Sequence, residues 1–198
     1  MSANKLRLFI AFDIPEEARS LLAAIVEKHK EEFPEARWVK AENLHLTLKF
    51  IGDYEEEKLD RLSNEIRKTA ASGSSFRAAL GGCGGFPSSR KARVLWVGMR
   101  NGQEEAALMA GKLDSRLDKV GVKRENRPFK GHLTLARLRR PLDCSSLLEK
   151  MEEELKPVSD VFFEVKEMTL YRSILGPGGP TYVSLEKVAL GEGSDGKD

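Results

Sequence analysis

The sequence predicts an α+β protein made of two lobes related by a pseudo-twofold axis, each a mainly antiparallel sheet with outer helices, around a central cleft. The tetrapeptide His-Leu-Thr-Leu occurs twice, at 45–48 and 132–135, and the two copies lie nearly half the chain apart. Similar successions of strands and helices surround both copies. Strand pairs that resemble hairpins, at 76–99 and 161–190, favour antiparallel sheets.

Composition places the chain among ordinary globular proteins. It has 198 residues, of which 40% are hydrophobic and 32% charged, and a net charge of +2. So small a net charge argues against non-specific binding to nucleic acid or anionic membranes. The two cysteines match no ligand pattern and are predicted to be free thiols. No leader or membrane-spanning segment is recognisable, so we expect a cytoplasmic location without membrane association.

The first half of the chain alternates strands and helices up to about residue 71. Pro15, followed by Glu16 and Glu17, is typical of a helix start, because proline fits the first turn and acids favour the positive end of the helix dipole. The predicted elements are a strand at 6–14, a helix to about 32, a short strand at 38–40, the first motif strand at 44–51, ended by Gly52, and a helix at 55–71.

Two predicted strands, at 76–81 and 93–99, complete the first half. The second half repeats the succession, with a helix at 101–120, the second motif strand at 132–138, a helix at 146–155, and a strand pair at 161–175 and 181–190. The glycine run 81–85 lacks the ending of a phosphate-binding loop and is expected to be a bulge or a loop. Residues 1–190 are predicted to form one bilobal domain, and 191–198 a disordered tail.

Both motifs lie in runs that alternate polar and apolar residues. Such alternation predicts half-buried strands, with His45 and Thr47 on one face of the first strand and His132 and Thr134 on one face of the second. A lone strand histidine beside a hydroxyl is usually structural. Two copies on a buried-strand pattern point instead to a shared site.

Two imidazoles suit acid and base catalysis. The ordinary pKa of imidazole is near ~6.5, so at neutral pH one histidine can deprotonate a water while the other protonates a leaving oxygen. These are the steps of in-line displacement at phosphorus. The hydroxyls of Thr47 and Thr134 could each donate a hydrogen bond to a non-bridging phosphate oxygen.

Other chemistries fit less well. A zinc hydrolase typically carries His-Glu-x-x-His, and a serine hydrolase Gly-x-Ser-x-Gly, and the sequence contains neither. The third histidine, His29, lies in a charged helical stretch and is expected to be a solvated surface residue. We therefore expect neither a metal nor a cofactor.

Four separate segments resemble the LigT-like branch of the two-histidine phosphoesterases. They are Arg-Leu-Phe-Ile-Ala at 7–11, Glu-Asn-Leu-His-Leu-Thr-Leu-Lys-Phe-Ile-Gly at 42–52, Arg-Pro-Phe at 127–129 before the second motif, and Leu-Tyr-Arg-Ser at 170–173. The resemblance covers about residues 5–190. One departure is Lys130-Gly131 before the second motif, where many relatives carry proline.

This resemblance implies a bilobal fold with a metal-independent RNA 2′,3′-cyclic phosphodiesterase activity that leaves a 2′-phosphate. By the same resemblance, His45 is the general acid toward the leaving ribose oxygen, and His132 is the general base. The implied partner is an RNA or nucleotide that ends in a 2′,3′-cyclic phosphate. Some relatives are described as 2′-5′ RNA ligases of tRNA halves, the reverse type of reaction.

The resemblance also offers Arg137 as a phosphate contact, but strict alternation places Arg137 on the face opposite His132. The role requires a bulge, a twist or a strand end, and a plain surface arginine is the alternative. Two basic clusters could bind phosphates: Arg137 with Arg139 and Arg140, and Arg90 with Lys91 and Arg93. Phe50 and Phe129 could stack on a nucleobase, although core packing is the expected role.

Three hypotheses follow. The first is a cyclic phosphodiesterase, the second a 2′-5′ RNA ligase that uses the same acid and base, and the third a non-catalytic module that binds RNA ends or nucleotides. Retention of both histidines and both threonines counts against the third. A monomer is expected because the two lobes already supply a complete acid and base pair.

Overall fold

The computed structural model describes residues 4–191, which contain one large sheet and five α-helices. The strands are β1 (Lys5–Phe12), β2 (Ala36–Trp38), β3 (Leu46–Glu55), β4 (Phe76–Phe86), β5 (Ala92–Asn101), β6 (His132–Leu142), β7 (Phe162–Val165), β8 (Glu167–Gly176) and β9 (Gly179–Ala189). The helices are α1 (Glu16–Glu32), α2 (Leu59–Ala71), α3 (Gln103–Leu117), α4 (Ser145–Glu154) and α5 (Lys156–Ser159).

All strand pairs of the sheet are antiparallel, in the order β7-β4-β5-β6-β3-β1-β8-β9, with β2 paired to β6. The two motif strands, β6 and β3, lie at the centre of this order, with three more strands on each side. They are joined through one register pair, Leu46 with Leu133. The α+β prediction of two related antiparallel lobes is confirmed.

The helices and the site lie on opposite faces of the sheet. In β1, Leu8 and Ile10 belong to the main core together with Leu22 of α1 and Ile66 of α2. Successive strand side chains point to opposite faces, so Phe9 projects away from the helices. A continuous apolar layer between sheet and helices therefore leaves the other face free for polar residues.

Two glycine positions differ from the predicted strand ends. Strand β3 does not end at Gly52 but continues to Glu55, because Gly52 adopts a φ of +80° that only glycine takes readily, at a register shift against β1. The glycine run 81–85 lies inside β4, where the register against β5 shifts between Leu80 and Cys83. The predicted bulge, rather than a loop, is therefore present in this run.

The predicted strand at 161–175 is two strands. Its first part, β7, pairs with β4 at one edge of the sheet, whereas β8 pairs with β1 and with β9. The hairpin is thus confined to β8 and β9. Of the predicted tail, Gly191 forms a bridge with Ser74, and residues 192–198 lie outside the described part of the chain.

The prediction that His29 is a solvated surface residue is wrong. His29 is 1% exposed on the inner side of α1, and its Nε2 lies 2.8 Å from a carboxylate oxygen of Glu154 at the end of α4. The partner is 125 residues away in sequence. The charged residues next to His29 in the sequence therefore led to a wrong prediction of its exposure.

Candidate functional site

The register of the central strands brings the two motifs together. Leu46 and Leu133 are antiparallel partners, so the flanking positions pair crosswise on the opposite face of the sheet. His45 lies across from Thr134, and Thr47 lies across from His132. The four polar motif residues form a two-by-two patch centred between the lobes.

Both histidines are held in the same way. The Nδ1 atom of His45 lies 2.7 Å from the backbone oxygen of Asn43, and that of His132 lies 2.7 Å from the backbone oxygen of Lys130. Because a carbonyl oxygen only accepts hydrogen bonds, Nδ1 carries the proton in each neutral ring. The tautomer is thereby fixed, and each ring uses Nε2 for other contacts.

The two threonines are not used alike. The Oγ1 atom of Thr47 lies 3.0 Å from Nε2 of His45. In neutral His45, Nε2 is an acceptor, so Thr47 donates this hydrogen bond. Among residues 4–191, Nε2 of His132 has no hydrogen-bonded protein partner, and Thr134 is available to a ligand.

Aromatic rings surround each imidazole. The ring centroid of His45 lies 4.7 Å from that of Phe9 and 5.2 Å from that of Tyr182. The centroid of His132 lies 5.0 Å from that of Phe86 and 6.4 Å from that of Trp96. These rings hold the imidazoles in place and partly exclude water.

Burial lowers the pKa of both histidines below the ordinary value of 6.5. The hydrogen bonds to Asn43 and Lys130 partly oppose this effect, and Arg137 adds to it at both rings. The further charges differ between the two sites. Asp13 raises the pKa of His45 and Arg19 lowers it, whereas Lys130 lowers the pKa of His132.

A bulge in β6 reverses the alternation after Thr134. Against β5, Thr134 pairs with Trp96 while Ala136 already pairs with the next residue, Leu95, so that Leu135 is the extra residue. Leu135 and Ala136 are both buried. Arg137 therefore returns to the face of His132 and Thr134, contrary to the strict alternation expected from the sequence.

The first motif strand has the same bulge at the same place. Against β1, Thr47 pairs with Ala11 and Lys49 with Ile10, which makes Leu48 the extra residue. Phe50 therefore occupies the position that Arg137 occupies in β6. The expectation of core packing for Phe50 is wrong, since the ring is 45% exposed, whereas Phe129 does pack against the core.

A cavity of about 490 Å³ opens above this patch. His45, Thr47, Thr134 and Arg137 line it, but His132 does not, and its place is given by the register opposite Thr47. The charged lining residues are all basic: Arg7, Arg37, Lys40 and Arg137. The predicted basic cluster Arg90, Lys91 and Arg93 is not part of the lining.

Sequence reasoning missed a buried lysine behind the site. Lys49 is 2% exposed, and its Nζ lies 2.6 Å from Oδ1 of Asp114 and 2.7 Å from the backbone oxygen of Lys123. These contacts connect the bulge of β3 to α3 and to the segment that leads to the second motif. Leu48 and Lys49 are consecutive residues that both point toward the core. The charge of Lys49, next to the inward-facing Leu48, was the signal available in the sequence.

Asp13 was missed as well. It follows β1 and accepts hydrogen bonds from the hydroxyls of Tyr171 and Thr169, at 2.5 Å and 3.0 Å. Burial and this carboxylate raise the pKa of Tyr171, which stays a donor. These hydrogen bonds hold the Asp13 carboxyl group near His45, and Nζ of Lys187 lies 3.5 Å from its Oδ2.

Two further properties concern metals and membranes. Within residues 4–191, no group of three or more His, Cys, Asp or Glu side chains could hold a metal ion. Within the same range, no helix is long and apolar enough to span a bilayer.

Comparison with known proteins identifies the family. The model of the family described as LigT like phosphoesterase matches residues 12–96 and again residues 97–182, and each stretch contains one copy of the motif. The chain belongs to the LigT-like phosphoesterases. The sequence segments that resemble this family therefore lie in a chain that belongs to it.

Relatives of this LigT-like phosphoesterase match it over almost its whole length. The RNA 2′,3′-cyclic phosphodiesterase of Methanothermobacter thermautotrophicus is 36% identical, covering 94% of this chain and 100% of the relative. The enzyme of the same name from Escherichia coli is 34% identical, with coverages of 93% and 96%.

Solved structures have the same fold. TT0787 of Thermus thermophilus superposes with a TM-score of 0.77 at 30% identity, over 94% of this chain and 99% of the other. E. coli LigT in complex with 3′-AMP superposes with a TM-score of 0.71 at 32% identity, again over 94% and 99%.

Proposed function

We propose that this LigT-like phosphoesterase hydrolyses RNA 2′,3′-cyclic phosphate ends to 2′-phosphates by metal-independent acid–base catalysis. The names of the full-length relatives support this substrate. The observation that carries the proposal is the register pair of Leu46 with Leu133, from which it follows that His45 lies opposite Thr134 and Thr47 opposite His132; Nδ1 of both rings is bound to a backbone carbonyl. Two imidazoles of defined tautomer then lie beside two hydroxyl groups.

In the proposed reaction, Nε2 of His132 takes a proton from water as the water oxygen bonds to phosphorus. The bond between phosphorus and the ribose 3′ oxygen breaks, and protonated His45 gives its Nε2 proton to that oxygen. Thr134, Thr47 and Arg137 bind the non-bridging oxygens and stabilise the charge that develops there. The product carries a 2′-phosphate and a 3′-hydroxyl.

The surrounding charges support this assignment of acid and base. Of the charges that act on His45, Asp13 favours the protonated form that a general acid requires, while Arg137 and Arg19 favour the neutral form. The charges acting on His132 are Arg137 and Lys130, and both favour its neutral form, as a general base requires.

Protonation of His45 also prepares Thr47 to bind phosphate. In the neutral ring, the Thr47 hydroxyl donates to Nε2 at 3.0 Å. Once Nε2 carries a proton it becomes a donor, and the hydroxyl hydrogen of Thr47 is released for a phosphate oxygen. The acid-competent state of His45 is therefore also the state in which Thr47 can hold the substrate.

Incubation with an oligonucleotide that ends in a 2′,3′-cyclic phosphate, in the presence of EDTA, tests the proposal. We expect a terminal 2′-monophosphate. With a 5′-hydroxyl RNA added, a longer strand in place of the monoester would indicate a ligase, and no reaction with folded protein would contradict catalysis. The monomeric state and the cytoplasmic location stay predictions.

A further inference from the structure

Two arginines face one another in the wall of the cavity. Arg37 of β2 and Arg137 of β6 are direct register partners, and both line the cavity. Like charges at such positions destabilise a sheet. Neither arginine forms a salt bridge within residues 4–191, and no carboxylate lines the cavity to neutralise them. Within residues 4–191, the two arginines therefore have no carboxylate partner, and they are suited to bind an anion from outside the protein.

One anion does not account for all the positive charge. A terminal cyclic phosphate is a diester and carries a single negative charge. Arg137 follows the second motif on the same face as His132 and Thr134, and is placed to bind that group. Arg37 and the neighbouring Lys40, which also line the cavity, lie beyond the motif patch. Lys40 has a loose partner in Glu42, 3.8 Å away, whereas Arg37 forms no salt bridge within residues 4–191, so the charge of Arg37 exceeds what a cyclic mononucleotide needs.

The side chain of Arg37 reaches the turn between β8 and β9. It packs against the β8–β9 turn, where a Cβ atom on Gly179 would lie 3.0 Å from Nη2 of Arg37. Gly179 has a φ of +110°, a conformation that side-chain-bearing residues rarely adopt. The turn thus leaves room for the guanidinium, which extends from β2 to the hairpin at the cavity wall.

We propose that Arg37, assisted by Lys40, binds the phosphodiester one nucleotide upstream of the cyclic phosphate. This inference rests on the proposed function and deepens it: the preferred substrate is an oligonucleotide end and not a cyclic mononucleotide. Arginine suits this task because its planar fork binds two phosphate oxygens at once. Arg137 and Arg37 then bind successive phosphates of one strand, which removes their mutual repulsion.

The test compares two substrates, diadenylate with a 2′,3′-cyclic phosphate and 2′,3′-cyclic AMP. For each, kcat/KM is measured with the wild type, Arg37→Gln and the control Arg61→Gln, which removes the same charge from the exposed surface of α2. We expect the ratio of kcat/KM for diadenylate to that for cyclic AMP to fall about tenfold in Arg37→Gln. Arg61→Gln should keep the wild-type ratio.

Salt dependence provides a second measurement on the same proteins. Loss of one phosphate contact should reduce the slope of log kcat/KM against log salt by about 0.7 for diadenylate in Arg37→Gln. An unchanged ratio together with an unchanged slope would overturn the subsite. So would an equal fall on both substrates, because Arg37 would then act on the cyclic phosphate itself.

Failure of the proposed function gives a different result, since the wild type would then hydrolyse neither substrate. In that case, fluorescence anisotropy with 5′-labelled tetraadenylate ending in a 2′-phosphate still tests the subsite. We expect about tenfold weaker binding to Arg37→Gln than to wild type or Arg61→Gln. Equal affinities would overturn the inference.

Discussion

Leu46 and Leu133 are register partners in the antiparallel contact between β3 and β6. This one pair sets the geometry of the site, because it places His45 beside Thr134 and Thr47 beside His132 on the other face. A slip of one residue in either strand would move a histidine to the helix-covered side. Burial of both leucines therefore fixes the position of both imidazoles.

The pH dependence of kcat/KM should be bell-shaped with its maximum below pH 6.5. The rate rises with pH as His132 loses its proton, and falls as His45 loses its proton. The pKa of each lies below 6.5 in the free protein, so the maximum between them does too. Initial rates at subsaturating substrate from pH 4.5 to 9 check this, and a flat profile or a maximum above pH 7 would contradict it.

Arg137→Ala should lower activity without lowering stability. Loss of a charged hydrogen bond to phosphate costs about 1.5–3 kcal/mol, which corresponds to about a 10- to 100-fold lower kcat/KM. The side chain is exposed and faces Arg37, so its removal relieves repulsion. Thermal unfolding should give a Tm equal to or slightly above that of the wild type.

A clear decrease in the Tm of Arg137→Ala would instead show that this arginine stabilises the fold. Wild-type activity in Arg137→Ala would show that the bulge at Leu135, which turns Arg137 toward the site, does not affect catalysis. Arg61→Ala serves as the control, since it also removes an exposed arginine and should change neither quantity.

The sequence could predict most strands and helices, but not the position of Arg137 relative to the motif. Periodicity identified both motif strands, because hydrophobic alternation is a local property. The bulges at Leu48 and Leu135 break that alternation, and each is fixed by pairing with a neighbouring strand. In the second motif, Leu135 and Ala136 form two consecutive apolar positions, which was the only local indication.

Long-range partners explain the remaining differences. His29 looks like a surface residue because its neighbours in sequence are charged, and Lys49 because its own side chain is charged. Their partners, Glu154 and Asp114, lie on helices 125 and 65 residues further along the chain. Phe50 looks like a core residue, yet the bulge of β3 turns it toward the cavity.

Lys49→Met should destabilise the fold. The variant leaves Asp114 and the backbone oxygen of Lys123 without the hydrogen bonds from Nζ, which costs about 1–3 kcal/mol because Asp114 is 20% exposed and keeps its hydrogen bond from the backbone of Glu125. In contrast, Lys30→Met removes a lysine that is exposed and loosely paired with Glu27, and should change stability by less than about 1 kcal/mol. Urea unfolding of both variants checks this, and equal midpoints would refute the structural role of Lys49.

Hydrolysis by His45→Ala and His132→Ala tests the two-imidazole account most directly. Single-turnover rates on an RNA that ends in a 2′,3′-cyclic phosphate should fall by about 10²- to 10⁴-fold in each variant, with a circular dichroism spectrum like that of the wild type. His29→Gln, which removes the histidine outside the site and keeps a buried hydrogen-bonding side chain there, controls for loss of an imidazole as such. A near-normal rate in either folded site variant would contradict the account.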